Sequence, residues 1–496
     1  MEQYTADIVI IGAGPAGLAA ALEAAAAGAS VMVLEKDDHA GGLREGGIGP
    51  FAVESYLQKN AFVDLTAEQA FEYFMEFSHW KTDARLVSEF IHLSGDTIDW
   101  LADMGVQFTH VSAYYVGGKA TQHNIDPRGK KITQVMYEKC QTYPNLRFLF
   151  QARGEHLLQT GGTVHGVTGH TLDGRPLTVN ARAVIVSSGG FGGDPELVKR
   201  QGYTKGQDLF YTFEFPNLTG DGLKMIWEAG GAQAPMMMDT YIGLPHGYGG
   251  PLGTAPALAG LRQYNLMVNQ NGLRFMREDL MANPSFAGNA VHRQKNGCAY
   301  MVLDTGAYQA FLVQDARDAK HRPGPPPPQP GDPPRKPEPF ERFQGTMEEI
   351  MREAMASGSR DFFIADSLEA LAEQAGLPVA PFLETVAEYN QLCLDKYDSV
   401  FYKDPRYLRP LTGPRYYAAR FCCDTYGGLG GVRINHRAQV LTEQETVIPG
   451  LYAAGNDANT IYGDSYPFYF CGNTSGFALN SGRMAGKNAV RHIQSM

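Results

Sequence analysis

Three glycines near the N-terminus have the spacing of a turn that holds the diphosphate of a dinucleotide. Gly12, Gly14 and Gly17 fall in the run Gly-Ala-Gly-Pro-Ala-Gly, and Glu35 follows 23 positions after Gly12. In such a site the first glycine permits a tight turn, the second lets the phosphates approach the backbone, and the third lets helix and strand pack closely. The acidic residue accepts hydrogen bonds from ribose hydroxyls. These residues therefore predict a Rossmann-type dinucleotide site.

A second glycine-dense segment directly follows Glu35 and favours FAD over NAD as the dinucleotide. Two such turns suit a cofactor whose diphosphate and isoalloxazine both press against backbone. An ordinary surface loop would have a similar composition and is the alternative. The predicted FAD contacts in this segment are Lys36, Gly41, Gly42, Gly46 and Gly47.

The elements around these residues have the order that a Rossmann fold requires. An apolar run over 7–11 predicts a buried parallel strand, a helix-forming stretch spans about 15–27, and a second apolar run spans 30–34. The glycine turn thus lies at the N-terminus of a helix, where free backbone N–H groups and the helix dipole attract phosphates. Further helices are predicted within 65–104, 367–374, 379–396 and 472–490, and further strands at 146–150, 164–167, 183–186 and from 448.

Length and composition indicate a globular enzyme with two domains, or with one large domain and an inserted cap. The chain has 496 residues, of which 44% are hydrophobic and 19% charged, and this length exceeds what a single core holds. The net charge of −11 argues against nucleic acid as a partner. Because no apolar window reaches the length of a membrane span and the first residues lack a basic n-region, a cytoplasmic location is expected.

The six cysteines are expected to be reduced thiols rather than metal ligands. They show no C-x-x-C pair, so neither an iron–sulfur cluster, a structural zinc nor an attached haem is expected, and no metal site is predicted. Cys422 and Cys423 are adjacent, which leaves a vicinal disulfide as the less favoured alternative.

Further motifs spread over nearly the whole chain accompany the N-terminal glycine turn. They are Ser-Gly-Gly-Phe at 188–191, Asn-Gly-Leu-Arg-Phe at 271–275, Thr-Tyr-Gly-Gly at 425–428, Pro-Gly-Leu-Tyr-Ala-Ala-Gly at 449–455, Gly-Asn-Thr-Ser at 472–475 and Gly-Arg-Met-Ala-Gly at 482–486. Together they resemble the FAD-binding family that contains soluble fumarate reductases, the succinate dehydrogenase flavoprotein, urocanate reductase and the 3-ketosteroid dehydrogenases. The resemblance implies further FAD contacts at Ala16, Gly190, Gly455, Asn456, Gly472, Thr474 and Ser475.

The resemblance also implies an α/β architecture with two domains. A Rossmann-type FAD-binding domain comprises residues 1–232 and 425–496, and an inserted α+β capping domain at 233–424 closes over the flavin. The proline-rich run at 323–339 is expected to be a surface insertion in the cap. The implied chemistry is hydride transfer between flavin N5 and a carbon–carbon bond, while a positioned acid protonates the neighbouring carbon.

The chain departs from the fumarate reductases at the dicarboxylate site. Met237–Asp239 replaces a substrate histidine, Asp424–Gly428 replaces His-Thr-Met-Gly-Gly, and Ala282–Phe286 lacks the expected catalytic arginine. A carboxylate-binding arginine is likewise replaced within Tyr466–Phe470. Since two carboxylates need cationic or bidentate donors, fumarate is not the expected substrate.

Aromatic side chains, among them Tyr114 and Tyr241, predict a flat, largely neutral substrate such as an enone, a steroid or a phenolic compound. Tyrosine stays protonated at neutral pH and can polarise a carbonyl or deliver a proton. Gly463–Tyr466 looks like a Gly-His-Thr-Tyr context in which the 3-ketosteroid dehydrogenases use a tyrosine this way. Packing roles are the alternative for these tyrosines, and a solvated surface position is the alternative for Arg277. The catalytic candidates are Tyr466, Tyr115, Tyr469 and Arg277.

The favoured function is an FAD-dependent oxidoreductase that reduces an activated C=C bond of an enone, a steroid or an aryl enoate. A dehydrogenase that introduces a C=C bond into a 3-ketosteroid-like substrate is the nearest alternative, and a non-catalytic flavin-binding protein is an alternative of another class. A further alternative, an NAD-dependent dehydrogenase, differs from these because it would bind no flavin. Because Ser188–Gly193 lacks the spacing of a second dinucleotide fingerprint, a separate electron donor or acceptor is expected.

Overall fold

The computed structural model of the protein describes residues 2–42, 49–113, 118–211, 217–244, 256–313 and 345–496. The chain divides into two compact units. The first comprises Met1–Gly202, Glu214–Asp239 and Gly427–Met496, and the second comprises Tyr203–Phe213 and Thr240–Tyr426. Residues 203–213 and 425–426, which the sequence prediction assigned to the FAD-binding domain, therefore group with the second unit, and residues 233–239, predicted as part of the cap, group with the first. The proline-rich run at 323–339 lies outside the described residues.

The core of the first unit is a mostly parallel sheet whose central strands are fully buried apolar runs. Ile8–Ile11 pairs in parallel with Val31–Leu34 on one side and with Ala183–Val186 on the other. The strands predicted at 7–11, 30–34, 146–150 and 183–186 are confirmed to within one residue. In spatial order the sheet comprises Gln439–Leu441, Val447–Ala453, Ala183–Val186, Ile8–Ile11, Val31–Leu34 and Leu146–Leu149.

Two further sheets and a set of helices complete the first unit. The helices predicted within 65–104 are confirmed as Ala67–Phe77 and Ala84–Asp103, and each begins at a side-chain cap, Thr66 and Asp83 respectively. One sheet contains Glu2–Thr5, Pro176–Asn180, Thr163–Thr171 and Ala152–Thr160, and the other pairs Phe108–Ser112 with Gln122–Ile125. The other helices are Pro15–Ala26, Tyr56–Asn60, Ile132–Cys140, Pro195–Arg200, Asp221–Glu228, the 3-10 helix Gly455–Ala458 and Asn473–Ser495.

The second unit is of the α+β type, with helices packed on a largely antiparallel sheet. The long strand Tyr416–Val432, which continues into the first unit's range, pairs in antiparallel fashion with Ala299–Asp304 and with Phe362–Ala365. Other strands of this unit are Leu209–Tyr211 and Leu266–Val268, and the strand Gln233–Gly243 begins in the first unit's range and ends in the second's. The α-helices are Pro284–His292, Thr305–Val313, Met347–Ala356, Leu368–Ala375 and Val379–Asp395, and the 3-10 helices are Pro256–Arg262, Glu278–Ala282, Lys295–Gly297 and Pro405–Tyr407.

The predicted α/β class is confirmed by these elements. All six cysteines are free thiols, as predicted, and the adjacent Cys422 and Cys423 both lie in the strand Tyr416–Val432 without a disulfide. Across the described ranges, no helix combines the length and apolar character needed to cross a membrane.

A buried network of charges holds the second unit together around Arg274, which belongs to the motif at 271–275. The Arg274 guanidinium donates to Glu278 Oε1 at 2.9 Å and to Asp398 Oδ2 at 2.8 Å. Lys403 Nζ lies 3.2 Å from Glu278 Oε2. The Arg274 guanidinium holds the pKa of Asp398 at about 2, although burial acts in the opposite direction. The motif arginine therefore has a structural role.

Replacing Arg274 by methionine is expected to lower the free energy of unfolding by about 3–5 kcal/mol, because it removes the guanidinium that pairs with the buried Asp398 and leaves Glu278 with Lys403 alone. Thermal unfolding of the purified variant measures this. Arg406→Met is the matched control, since Arg406 forms an exposed ion pair with Asp404 and such pairs contribute little. Equal melting temperatures for the two variants would show that the buried network does not stabilise the unit.

Candidate active site

The predicted glycine turn lies between the strand Ile8–Ile11 and the helix that begins at Pro15. Gly12 has a φ of +99°, and a Cβ on it would lie 2.3 Å from the Ser187 carbonyl oxygen. A Cβ on Gly17 would lie 1.9 Å from the Gly12 carbonyl oxygen. A Cβ on Gly14 would meet no protein atom within 4 Å, so this side of the turn is open. An open backbone at a helix N-terminus fits the diphosphate of FAD.

Other predicted cofactor residues converge on the same turn. A Cβ on Gly42 would lie 3.1 Å from Gly14 Cα, and a Cβ on Gly455 would lie 3.0 Å from the Ala16 side chain. The Gly455 N–H donates to Ser481 Oγ at 2.9 Å, which fixes the end of the strand Val447–Ala453. The structure therefore brings Gly12, Gly14, Ala16, Gly17, Gly42 and Gly455 together, whereas Gly46 and Gly47 lie outside the described residues.

Glu35 holds the turn in place as well as being the predicted ribose ligand. Its Oε2 accepts the Ala13 N–H at 2.7 Å and its Oε1 accepts the Asp37 N–H at 2.9 Å. A carboxylate has capacity for further hydrogen bonds beyond these two, so the contacts are compatible with a ribose hydroxyl. Lys36, the next residue, is engaged elsewhere, because its Nζ lies 2.9 Å from Asp221 Oδ2.

Asp457 fixes the glycine loop that contains Gly190 and was missed by the sequence analysis. Its buried carboxylate accepts the Gly190 N–H at 2.9 Å and the Ser188 hydroxyl at 3.0 Å, and it also accepts the Ser188 N–H. Burial raises the pKa of Asp457, while these hydrogen bonds lower it. The available signal was its position directly after Gly455 and Asn456, at the end of a motif already recognised as cofactor-binding.

Tyr466 lies against the N-terminus of the last helix, Asn473–Ser495. Its side chain is buried, and its hydroxyl accepts the Thr474 N–H at 3.4 Å. The ring packs edge-to-face against Tyr462, with centroids 5.2 Å apart, and against Phe468 at 4.9 Å. Burial raises the pKa of Tyr466 well above its usual value near 10. The phenol therefore keeps its proton at neutral pH and can act as a donor.

Asp239 joins this group and was noted in the sequence only as a replacement for histidine. The carboxyl is 2% exposed, and its Oδ2 accepts the Thr474 hydroxyl at 3.3 Å. Burial raises the pKa of Asp239 to about 8, which the Thr474 hydrogen bond partly opposes. At neutral pH the group is therefore mostly a neutral carboxylic acid beside Tyr466.

The other catalytic candidates have different surroundings. Tyr469 stacks on Tyr73, with centroids 4.6 Å apart and planes 24° from parallel, so its ring is part of an aromatic cluster. Arg277 in the second unit is 53% exposed at its side chain and pairs with Asp279 at 3.3 Å. Tyr115 and its neighbour Tyr114 lie outside the described residues.

The second unit contains two buried ionisable groups, Asp424 and Arg262, of which the second influences the first. Asp424 is the residue that replaces the histidine of His-Thr-Met-Gly-Gly, and burial raises its pKa to about 7 against the opposing influence of Arg262 and Tyr241. Arg262 is fully buried, and its Nη2 donates to the Ile242 carbonyl at 3.4 Å. No motif marks Arg262 in the sequence. Its positive charge lowers the pKa of Asp424.

Comparison with known proteins decides between the dinucleotides. A family profile described as an FAD binding domain matches residues 7–474. The chain belongs to this FAD-binding family. The predicted cofactor, FAD, is thereby confirmed. The glycine turn, the open side of Gly14 and the helix N-terminus described above supply the cradle that this cofactor needs.

The relatives confirm that the chain is an FAD-dependent oxidoreductase of the C=C-reducing, fumarate reductase-like group. It is 30% identical over 499 residues to a vinyl phenol reductase of Lactiplantibacillus plantarum. The alignment covers 99% of this chain and 98% of that protein. It is 28% identical to a cytochrome-type fumarate reductase of Shewanella frigidimarina, over 98% of this chain and 77% of that protein.

The fold is shared with a solved steroid enzyme. The 3-ketosteroid Δ4-(5α)-dehydrogenase of Rhodococcus jostii superposes with a TM-score of 0.74 at 20% identity, over 99% of this chain and 98% of that chain. The predicted architecture, a Rossmann-type FAD-binding fold, is confirmed by this likeness.

Proposed function

We propose that the protein reduces the C=C bond of a small, largely neutral aryl alkene, and that Tyr466 supplies the proton. The observation that carries the proposal is the buried, protonated Tyr466 phenol, which is held by the Thr474 N–H within a group of aromatic rings. Its raised pKa keeps the phenol protonated at neutral pH, and aromatic rings favour a flat substrate.

These contacts suggest separate roles for FAD, Tyr466 and Thr474 in the reaction. FAD, when bound and reduced, supplies a hydride from N5 to one alkene carbon. Tyr466 delivers a proton to the neighbouring carbon, so that the product has gained one hydride and one proton. The Thr474 N–H, already directed at the Tyr466 oxygen, stabilises the phenolate that remains. Burial of this group excludes water from the developing charge.

The substrate class rests on what the site contains and on its relatives. The described side chains around Tyr466 are the rings of Tyr462 and Phe468 and the buried Asp239, a set without a cation, which disfavours a substrate with two carboxylates. A relative that aligns over 99% of this chain is a vinyl phenol reductase. A hydroxyphenyl alkene is therefore the substrate that we favour. A separate electron donor and a cytoplasmic location are part of the proposal, and the six free thiols fit a reducing compartment.

Turnover with a chemical donor tests the proposal. The holoenzyme is supplied anaerobically with reduced methyl viologen and, in separate reactions, with 4-vinylphenol, cinnamate, urocanate, fumarate and 4-androstene-3,17-dione. We expect the fastest donor oxidation with 4-vinylphenol and a product that is two hydrogens heavier by mass spectrometry. Preference for the steroid would favour the dehydrogenase alternative, and an absence of turnover with every alkene would favour a non-catalytic flavoprotein.

A further inference from the structure

Thr474 connects two buried acids at the start of the last helix. Its hydroxyl donates to Asp239 Oδ2 at 3.3 Å, and its N–H donates to the Tyr466 oxygen at 3.4 Å. The Thr474 side chain also acts on the Tyr466 phenol, whose pKa it lowers against the larger effect of burial. Thr474 therefore contacts both acids, the carboxyl group through its hydroxyl and the phenol through its N–H.

The surroundings of Asp239 favour its neutral form. In the described part of the chain, the titratable groups that it influences include Tyr462 and Tyr466, whose pKa values its negative charge would raise. Tyr462 is itself fixed by Asn459, whose Nδ2 donates to the phenol oxygen at 3.2 Å. An ionised Asp239 would thus lie buried beside two phenols, and desolvation raises its pKa to about 8.

We propose that Asp239 returns a proton to Tyr466 after each reduction, with the Thr474 hydroxyl as the connecting group. This inference rests on the proposed function. Tyr466 first loses its proton to the substrate carbon. The Thr474 hydroxyl then rotates about its C–O bond, so that its proton turns from Asp239 toward the Tyr466 oxygen. That proton passes to the Tyr466 oxygen, while the Asp239 carboxylic acid transfers its own proton to the Thr474 oxygen. Asp239 is left as a carboxylate and recovers its proton from solvent, so charge and protons balance.

The direction of this transfer is favourable. A carboxylic acid with a pKa near 8 is a stronger acid than a buried phenol, whose pKa lies above 10. Proton transfer from Asp239 to a Tyr466 phenolate is therefore downhill. Asp239 acts through Tyr466 and does not need to contact the substrate.

The Asp239→Asn variant should slow the later turnovers but not the first, so single-turnover and steady-state rates are compared. With 4-vinylphenol as the probe, flavin reoxidation in a single turnover should stay within about threefold of wild type, because Tyr466 starts protonated. Steady-state turnover at pH 7 should fall by roughly tenfold or more. The wild-type rate should decline as pH rises through about 8, and this decline should be absent from the variant. Asp464→Asn, which removes an exposed carboxylate two residues before Tyr466, should behave like wild type.

A second pair of variants tests the connecting group. Thr474→Val removes the hydroxyl but keeps the N–H, and it should reproduce the steady-state loss of Asp239→Asn. Thr474→Ser restores a hydroxyl at the same place, and it should recover most of the rate that valine loses. If serine and valine give the same rate, the hydroxyl does not carry the proton.

The pH dependence of folding gives a readout that is independent of activity. The pKa of Asp239 is about 8 in the folded state and about 4 in the unfolded state, so the folded protein binds more protons between these values. Linkage then makes wild type progressively less stable than Asp239→Asn as pH rises from about 4 to 8, with a constant difference above that range. Melting temperatures across this range measure it.

The proposed alkene reduction and the proton-return role of Asp239 can be disproved separately. If wild type reduces no alkene, the proposed function is wrong, whereas the melting curves still report whether Asp239 is neutral. If wild type turns over and Asp239→Asn keeps both the rate and the decline near pH 8, the proton-return role is wrong. A melting difference that does not change with pH would equally overturn it, because Asp239 would then be ionised throughout.

Discussion

Tyr466→Phe is expected to lower turnover of a reducible aryl alkene by about 10²- to 10³-fold, because it removes the proposed proton donor. Flavin content should not change. The lost hydroxyl leaves the Thr474 N–H without this acceptor, which is expected to cost about 1 kcal/mol of stability. The loss should appear in kcat rather than in KM, because the proton is transferred only in the transition state.

Tyr452→Phe is the matched control for this substitution. Tyr452 is another buried tyrosine of the first unit, and its hydroxyl donates to the Asn488 carbonyl at 3.1 Å. Both changes remove one buried hydroxyl and its hydrogen bond, so their effects on stability should be similar, and only Tyr466→Phe should slow turnover. Equal rates for the two variants, or a larger loss in Tyr469→Phe, would assign the proton to another group.

Gly14→Ala is expected to give a folded protein that purifies without its yellow flavin. The added Cβ meets no protein atom within 4 Å, and Gly14 has an ordinary φ of −75°, so folding is not opposed. The methyl group would instead occupy the open side of the turn, where the diphosphate must approach the backbone. We expect FAD affinity to fall by roughly 100-fold or more, on the order of 3 kcal/mol, measured by titrating the apoprotein with FAD.

Gly17→Ala in the same turn should fail for a different reason. Its Cβ would lie 1.9 Å from the Gly12 carbonyl oxygen and 2.9 Å from Ser187 Oγ, so helix and strand must separate. Overpacking of this kind typically costs about 1–3 kcal/mol or more, and the melting temperature of the apoprotein should fall. Gly14→Ala protein that retains stoichiometric FAD would contradict the assignment of the open side to the cofactor.

Short sequence patterns explain why the elements of the FAD-binding turn could be predicted. Ile8–Ile11 and Ala183–Val186 are continuous apolar runs, and the glycines that follow them have few conformational alternatives, so short windows of sequence are sufficient. The same holds for the helices after Thr66 and Asp83, whose caps lie within three residues of the groups they bind. Each of these features depends on neighbours along the chain.

Contacts between distant residues explain what was missed. Asp239 and Thr474 are separated by 235 positions and Ser188 and Asp457 by 269, and no periodicity links such pairs. The burial that raises the pKa of Asp239 exists only after the chain has folded. For the same reason composition could not separate Tyr466, which is bonded to a helix N-terminus, from Tyr469, which stacks on Tyr73.

Anaerobic reoxidation of the reduced flavin is the most direct test of the central claim, that this site reduces a neutral aryl alkene and not a dicarboxylate. The bound FAD is reduced, excess donor is removed, and 4-vinylphenol or fumarate is added while flavin absorbance is followed. We expect 4-vinylphenol to restore the oxidised spectrum at least tenfold faster than fumarate, with 4-ethylphenol as the product. Rapid reoxidation by fumarate with no reaction of 4-vinylphenol would contradict the account.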